Sequence, residues 1–249
     1  MVDFASYKSR VVDMVKKSEM GQLTPQEFCS LFWLNLKVKA RNTLEFLKDV
    51  CRYYGNWNFA KADLSLHLMY LFHNPYRMSK RFLEKRQVKE LDTYGETPLT
   101  SFERIVNAAA ITEHDCVFEL GCGRGQLCFW LQALIGCKVV GIEHNPEFIS
   151  RAQRLVNRLN IPRLTFIAQD MREADLTGAS VCYLCGTCMD EATIRKMIAK
   201  FSRLSKGTRV ITVSFPLTDY PNSEHLEIMH TFSVPFLWGE ADVYIHVVK

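Results

Sequence analysis

The chain has 249 residues, 48% of them apolar and 23% charged, a composition that excludes disorder, collagen-like repeats and a coiled coil as descriptions of the whole. A net charge of +4 and a pI near 8.5 are too mild to argue for nucleic-acid binding on their own. The charge is uneven: residues 1–92 hold 16 Lys and Arg against 10 Asp and Glu, and residues 93–249 hold 15 against 17.

The basic first part reads as all-helical. Residues 4–20 place Phe4, Val11, Val12 and Val15 near one helical face, and Gly21 breaks the pattern. Thr24-Pro25-Gln26-Glu27 is a helix start, with Thr24 as cap, Pro25 at the first helical position and Glu27 closing a capping box. That helix is expected to reach Tyr54, a third to span 58–73, and a fourth 75–91 after Asn74. No strand pattern precedes residue 110. Beyond residue 100, short apolar runs alternate with helical stretches. Strands are expected at Cys116–Leu120, Lys138–Ile142, Leu164–Ala168, Ser180–Leu184 and Thr208–Ser214, and near 228–234 and 242–248. Helices are expected at Arg124–Ile135, at Pro146–Leu159 with Asn145 as cap, and at 190–204. This alternation predicts an α/β fold, a doubly wound parallel sheet covered on both faces, following an N-terminal helical domain. The expected domains are residues 1–92 and 93–249.

The sharpest signal is Phe118-Glu-Leu-Gly-Cys-Gly-Arg-Gly-Gln126. A strand runs into Gly121, Gly123 and Gly125, and a helix follows. Glycines let a backbone turn sharply and approach a ligand, with Cys122 inside the loop. A dinucleotide loop would read G-x-G-x-x-G; here the spacing is G-x-G-x-G, and Glu119 stands two positions before the first glycine. A carboxylate there would repel a pyrophosphate and suit a ligand carrying an ammonium and a sulfonium, such as S-adenosylmethionine. Glu143 ends the second strand, where a carboxylate accepts from ribose hydroxyls. Asp170 follows the third and can accept from an adenine amino group, with Met171 packing on the ring.

These residues resemble a class I, seven-stranded S-adenosylmethionine-dependent methyltransferase over about residues 93–249. The resemblance implies a Rossmann-like sheet of order 3-2-1-4-5-7-6 with the seventh strand antiparallel. The segment Thr93-Tyr-Gly-Glu-Thr-Pro-Leu-Thr-Ser-Phe-Glu-Arg-Ile105 resembles the non-SET histone lysine methyltransferases of the disruptor-of-telomeric-silencing type. Their relatives, the ATP-synthase c-subunit lysine methyltransferases, share the plan. The match implies that Tyr94, Glu96 and Thr97 contact the cofactor and that Gln126 reaches its methionyl end; read locally, Thr97 would instead cap a helix with Pro98 at its first position. Gly141-Ile-Glu143, Ser214-Phe-Pro-Leu217, Trp238-Gly239 and Tyr244-Ile-His246 continue the likeness. Where the histone enzymes carry Asn-Asn-Phe after the fourth strand, this chain has Cys185-Gly186-Thr187. Positioning of the reactants would then fall to Cys185, Thr187 or backbone carbonyls. A channel-lining Tyr of those enzymes falls on Val243, one step from Tyr244, which is also a positioning candidate.

The activity implied is methyl transfer to a protein lysine by in-line displacement. Phe215, Phe236, Trp238 and Tyr244 could wall an apolar channel that favours the neutral amine and tolerates the cationic product. No general base is required. Two alternatives stay open: a nucleic-acid methyltransferase, suggested by the six Lys and Arg of residues 75–90, and a non-catalytic cofactor-binding scaffold, suggested by the missing Asn pair. Cys182, Cys185 and Cys188 are read as small core thiols and no metal site is expected. His67 and His73 are read as packed rather than ligating. Nine cysteines, an odd number, fit a reducing compartment. No apolar run approaches the ~18 residues that span a bilayer, and basic residues interrupt any signal-like N-terminus. The expected location is cytoplasmic, and a secreted effector is also compatible. Protein is the expected partner, with nucleic acid as the alternative through the basic helices.

Overall fold

The computed structural model describes residues 17, 21–87, 94–186, 189–236 and 238–249. The helix expected at 4–20, the candidate Thr187 and Cys188 fall outside them, Lys17 excepted. Helix α1 (Pro25–Tyr53) starts as its sequence dictates. The Thr24 N–H donates to Glu27 Oε2 at 2.9 Å, and the Glu27 N–H donates to Thr24 Oγ1 at 3.3 Å, so two otherwise unpaired amides are satisfied reciprocally. Packing divides the chain into two units, Met1–Arg52 and Tyr53–Lys249. The composition change at 92/93 is thus a change in element type, while helices α2 (Trp57–Tyr70) and α3 (Pro75–Lys85) belong to the second unit. Asn56 and Asn74 cap these helices through their side-chain oxygens. Both helices end sooner than the sequence pattern suggests, α3 at Lys85.

The second unit is built on one seven-stranded sheet of order β3-β2-β1-β4-β5-β7-β6. Its strands are β1 (Cys116–Leu120), β2 (Lys138–Glu143), β3 (Leu164–Ala168), β4 (Val181–Leu184), β5 (Arg209–Val213), β6 (Leu226–Phe236) and β7 (Gly239–Val248). β1 to β5 pair in parallel, and β7 runs antiparallel to both β5 and β6. The expected order and the reversed seventh strand are both present. Strands such as Val181–Leu184 are buried along their whole length, as a sheet covered on both faces requires.

Alternation along the strands sorts the core into two layers. Val117, Tyr183, Ile211 and Ile245 face the layer formed with α2, α4 (Leu99–Ala108) and α6 (Pro146–Leu159). Phe118, Leu120, Leu184 and Val210 face α7 (Glu191–Phe201). On this second face His246 is fully buried. Its Nε2 accepts from the Leu217 N–H at 3.0 Å, which leaves Nδ1 to donate to the Val210 carbonyl at 3.1 Å. Burial lowers the pKa of this imidazole and keeps it neutral.

Two helix expectations change. The helix expected at 124–135 begins only at Gln126, because Gly125 has φ +85°, outside helical space. α5 (Gln126–Trp130) then widens into a π-helical turn, Leu131–Ile135, closed by the Gly136 N–H donating to the Leu131 carbonyl at 3.1 Å. Thr97 caps no helix: α4 starts at Leu99 without a side-chain cap. The Thr97 hydroxyl is instead committed to the Tyr183 hydroxyl at 2.8 Å.

Gly141 on β2 has no room for a side chain. A Cβ there would stand 2.7 Å from the Phe166 ring and 2.8 Å from Cys128 Sγ. Gly141→Ala is expected to cost roughly 1–3 kcal/mol through overpacking, measured as a lower midpoint in denaturant-induced unfolding.

Candidate functional site

Parallel α/β sheets bind ligands beyond the carboxyl ends of their strands, where the winding reverses. Here that place lies between β1 and β4, and a cleft opens there. Its wider part, about 610 Å³, is lined among others by Ile142, Glu143, Asp170, Met171, Phe82 and Met189. A tighter recess of about 40 Å³ follows the glycine turn and is lined by Glu96, Thr97, Glu119, Arg124, Gln126 and Tyr183. Tyr94, Gly95, Leu120, Gly121 and Cys185 line both, so the two parts form one groove.

The turn from β1 to α5 is shaped by glycines with positive φ at 121, 123 and 125. Tyr94 lies against it so closely that a Cβ on Gly123 would stand 2.9 Å from the Tyr94 ring. Glu143 braces the turn from β2: its Oε2 accepts from the Gly123 N–H at 3.0 Å and its Oε1 from the Asn145 N–H at 2.8 Å. Each oxygen keeps a lone pair for a further donor. Burial nevertheless raises the Glu143 pKa.

A chain of polar contacts closes the recess. The Tyr94 hydroxyl donates to Glu96 Oε1 at 2.5 Å. Arg124 grips Glu96 with Nε to Oε1 at 2.6 Å and Nη2 to Oε2 at 2.9 Å, a bidentate pair. Nη2 also donates to Gln126 Oε1 at 3.1 Å, and Gln126 Nε2 donates to Asp63 Oδ1 at 2.9 Å. Asp63, buried on α2, also accepts from the Tyr54 hydroxyl at 2.9 Å. His67 Nδ1 lies 2.8 Å from the Asp63 carbonyl oxygen and 3.4 Å from Asp63 Oδ2, so His67 borders this polar cluster.

The carboxyl groups differ in state. Burial would raise Glu96, but Arg124 outweighs it and holds the group below the usual carboxylate range. Among the described residues no Lys or Arg is paired with Glu119. Burial pushes its pKa up to about 8, and its Oε2 accepts from the Cys128 thiol at 2.8 Å. Burial therefore favours the neutral acid at Glu119 over the ionised carboxylate its position suggests. Asp170 is engaged by Arg172, whose Nε and Nη2 reach its oxygens at 2.6–3.0 Å. These bonds hold it below the ordinary value while it still borders the cleft. Cys122 is buried at the turn, and burial raises its thiol to about 11.

Helix α3 bounds the wide end. Arg86 and His144 Nε2 are 2.5 Å apart, and the Phe82 ring meets His144 edge-on at 5.2 Å. Burial, followed by Arg86, lowers the His144 pKa.

Residues 117–207 match the family model of a methyltransferase domain. The matched stretch is a methyltransferase domain, and the sheet that carries it has the strand order expected of the class I fold. The chain is 24% identical over 200 residues to a histone-lysine N-methyltransferase, H3 lysine-79 specific, of Dictyostelium discoideum, covering 71% of this chain and 10% of that protein. It spans about a tenth of that relative's length. It is also 24% identical over 137 residues to a protein-lysine N-methyltransferase of Saccharolobus islandicus, covering 54% of this chain and 84% of that one. In fold it resembles an RNA methyltransferase of Salinibacter ruber solved with S-adenosyl-L-homocysteine, with a TM-score of 0.52 and 24% identity over 62% of this chain and 94% of that one.

The methyltransferase cleft gathers Tyr94, Glu96, Thr97, Glu119, Gly121, Cys122, Gly123, Gln126, Glu143, Asp170, Met171 and Cys185. It does not gather Tyr244, which lies on β7 opposite Thr212 and Thr231 and points to the same face as His246, away from Val243 and Ile245. Cys185 sits just past the end of β4, at the cleft, rather than on the strand. Sequence reasoning misses Arg124, Asp63 and Tyr54. Arg124 occupies a variable position of the glycine motif, and only its adjacency to Glu96 in space reveals it.

Glu119 gives the domain a pH signature. Its pKa rises on folding from 4.5 to about 8, so the folded state holds a proton that the unfolded state releases between those values. That contribution is complete below pH 4.5 and is lost as pH rises toward 8. Denaturant midpoints should fall between pH 5 and pH 8, and Glu119→Gln should flatten the decline. An unchanged slope in the variant would contradict the assigned state.

Proposed function

We propose that this domain binds S-adenosylmethionine along the groove and transfers its methyl group to a lysine of a protein. The observation that carries the reading is the set of carboxyl groups at the ends of three adjacent strands, Glu119 on β1, Glu143 on β2 and Asp170 after β3, around a positive-φ glycine turn. In this assignment Glu143 accepts from the ribose hydroxyls, and Asp170 with Met171 receives the adenine. Gly121, Cys122 and Gly123 shape the turn beside the ligand. Tyr94, Glu96, Thr97, Glu119 and Gln126 enclose the amino-acid end. The residues fit such a ligand, because the recess sets the Glu96 carboxylate and the Glu119 carboxyl beside the glycine turn.

S-adenosylmethionine supplies an activated methyl group on a sulfonium. The chain then has to align an acceptor, exclude water and favour a neutral amine. Cys185 borders both parts of the groove and is the described residue best placed to align the reactants. Trp238 stacks on Phe236 with ring centroids 4.3 Å apart. A Cβ on Gly95 would lie 3.9 Å from Trp238, so this aromatic pair stands beside the segment that borders the groove. An apolar wall there disfavours a charged lysine and tolerates a methylated one. The protein-lysine reading is further supported by the names of the two relatives above. The helical region before residue 93 selects the acceptor in this scheme, through α3, whose Ser79, Phe82 and Leu83 line the cleft.

One observation favours a nucleic-acid acceptor instead: α3 carries Arg77, Lys80, Arg81 and Lys85 on the helix that borders the groove. Transfer of a labelled methyl group to cell extract, followed by protease or nuclease digestion, separates the two. Label in protease-sensitive material, recovered as methyl-lysine, is expected; label confined to nuclease-sensitive material would replace lysine with nucleic acid. Among the described residues no helix is long and apolar enough to cross a membrane.

Glu143→Ala removes charge-assisted hydrogen bonds, each contributing about 1.5–3 kcal/mol. Affinity for S-adenosylmethionine should fall by at least about tenfold in isothermal titration. Retained affinity would remove Glu143 from the ribose.

A further inference from the structure

The structure assigns Arg124 as the receptor for the carboxylate of the ligand's amino-acid end, a role that rests on the cofactor reading above. The recess along the glycine turn has Arg124 as the one Lys or Arg in its described lining. Its hydrogen bonds to Glu96 and Gln126 use Nε and Nη2. A guanidinium has five N–H groups, and these bonds account for three. The two on Nη1 donate to no protein group among the described residues. Nη1 is also not one of the buried polar atoms sealed without a partner, and Arg124 lines the recess.

Charge complementarity points the same way. Arg124 and Glu96 neutralise each other, and burial favours the neutral acid at Glu119, so the recess is close to uncharged overall. It is strongly dipolar, with an anionic edge at Glu96 and a cationic edge at Arg124. An α-amino acid tail is also dipolar, and its two ends meet their opposites here: the ammonium at Glu96, the carboxylate at Arg124. The wider part of the groove, with Glu143 and Met171, is left for the nucleoside. Gln126 then acts as a positioning residue: Asp63 takes its donor and Arg124 its acceptor, so its amide steadies the guanidinium.

The test compares two ligands that share a nucleoside and differ in the tail. S-adenosylhomocysteine carries the amino acid, and 5′-methylthioadenosine lacks it. Titration calorimetry on wild type, Arg124→Met and the double variant Glu96→Gln/Arg124→Met reads the difference. Both variants should bind S-adenosylhomocysteine roughly 10- to 100-fold more weakly while their affinity for 5′-methylthioadenosine changes by less than about threefold. The double variant removes both members of the ion pair; read against Glu96→Gln alone, which subtracts the loss of the ammonium's partner, it carries the test if the single Arg124 variant does not fold, as judged by circular dichroism. Equal losses for both ligands, or no loss for either, would overturn the assignment. A wild-type protein that binds neither ligand would overturn the cofactor reading itself, a result distinct from a failure of Arg124 alone.

Discussion

The groove depends on where the Phe166 ring sits. This β3 side chain occupies the space that a Cβ on Gly125 or Gly141 would need, at 2.6 and 2.7 Å respectively. One aromatic ring thereby sets the distance between the glycine turn and two strands. Core packing is dense and tolerates little displacement, so the turn is shaped by the protein rather than by a ligand. The Gly123 N–H is held on Glu143 in advance, and a ligand entering the groove meets groups already in place, which lowers the entropic cost of binding.

On that frame the chain keeps several acids close together by giving each a different answer to its own charge. Glu96 is ionised because Arg124 grips it with two bonds. Burial favours the neutral acid at Glu119. Glu143 has backbone N–H groups on both oxygens, and Asp170 has Arg172. Four free carboxylates around one cleft would repel one another strongly at low dielectric. Distributed in this way they leave a polar groove that can receive a cation without a large standing field.

The parts of the fold that were legible in the sequence are those governed by neighbours in the chain. The capping box at Thr24 and Glu27, the Asn145 cap of α6, the apolar strands and the glycine turn all follow from local rules. So does the placing of acids at strand ends, because strand length fixes which residue emerges. What escaped is set by partners far away in sequence. Thr97 reads as a helix cap until Tyr183, 86 positions on, claims its hydroxyl. Asp63 reads as an ordinary helical acid, and only the fold brings it to Gln126. Tyr244 and Val243 differ by one position, and strand parity sends them to opposite faces. The positive φ of Gly125, which delays α5, has no local signal of its own, because a glycine spaced for ligand approach looks the same in sequence as one that sets helix phase.

The reversal of β7 has a further effect. Because β7 runs against β5, and β6 against β7, the link between the last two strands emerges at the same end of the sheet as the glycine turn. Trp238 sits in that link. The donor side of the groove is therefore built on segments pinned by packing, whereas the facing side is a hairpin tip that can lengthen or change composition without disturbing them. Under the proposed reading, drift in acceptor preference needs only a few residues of one connection, while the half assigned to the nucleoside is held constant by the core beneath it.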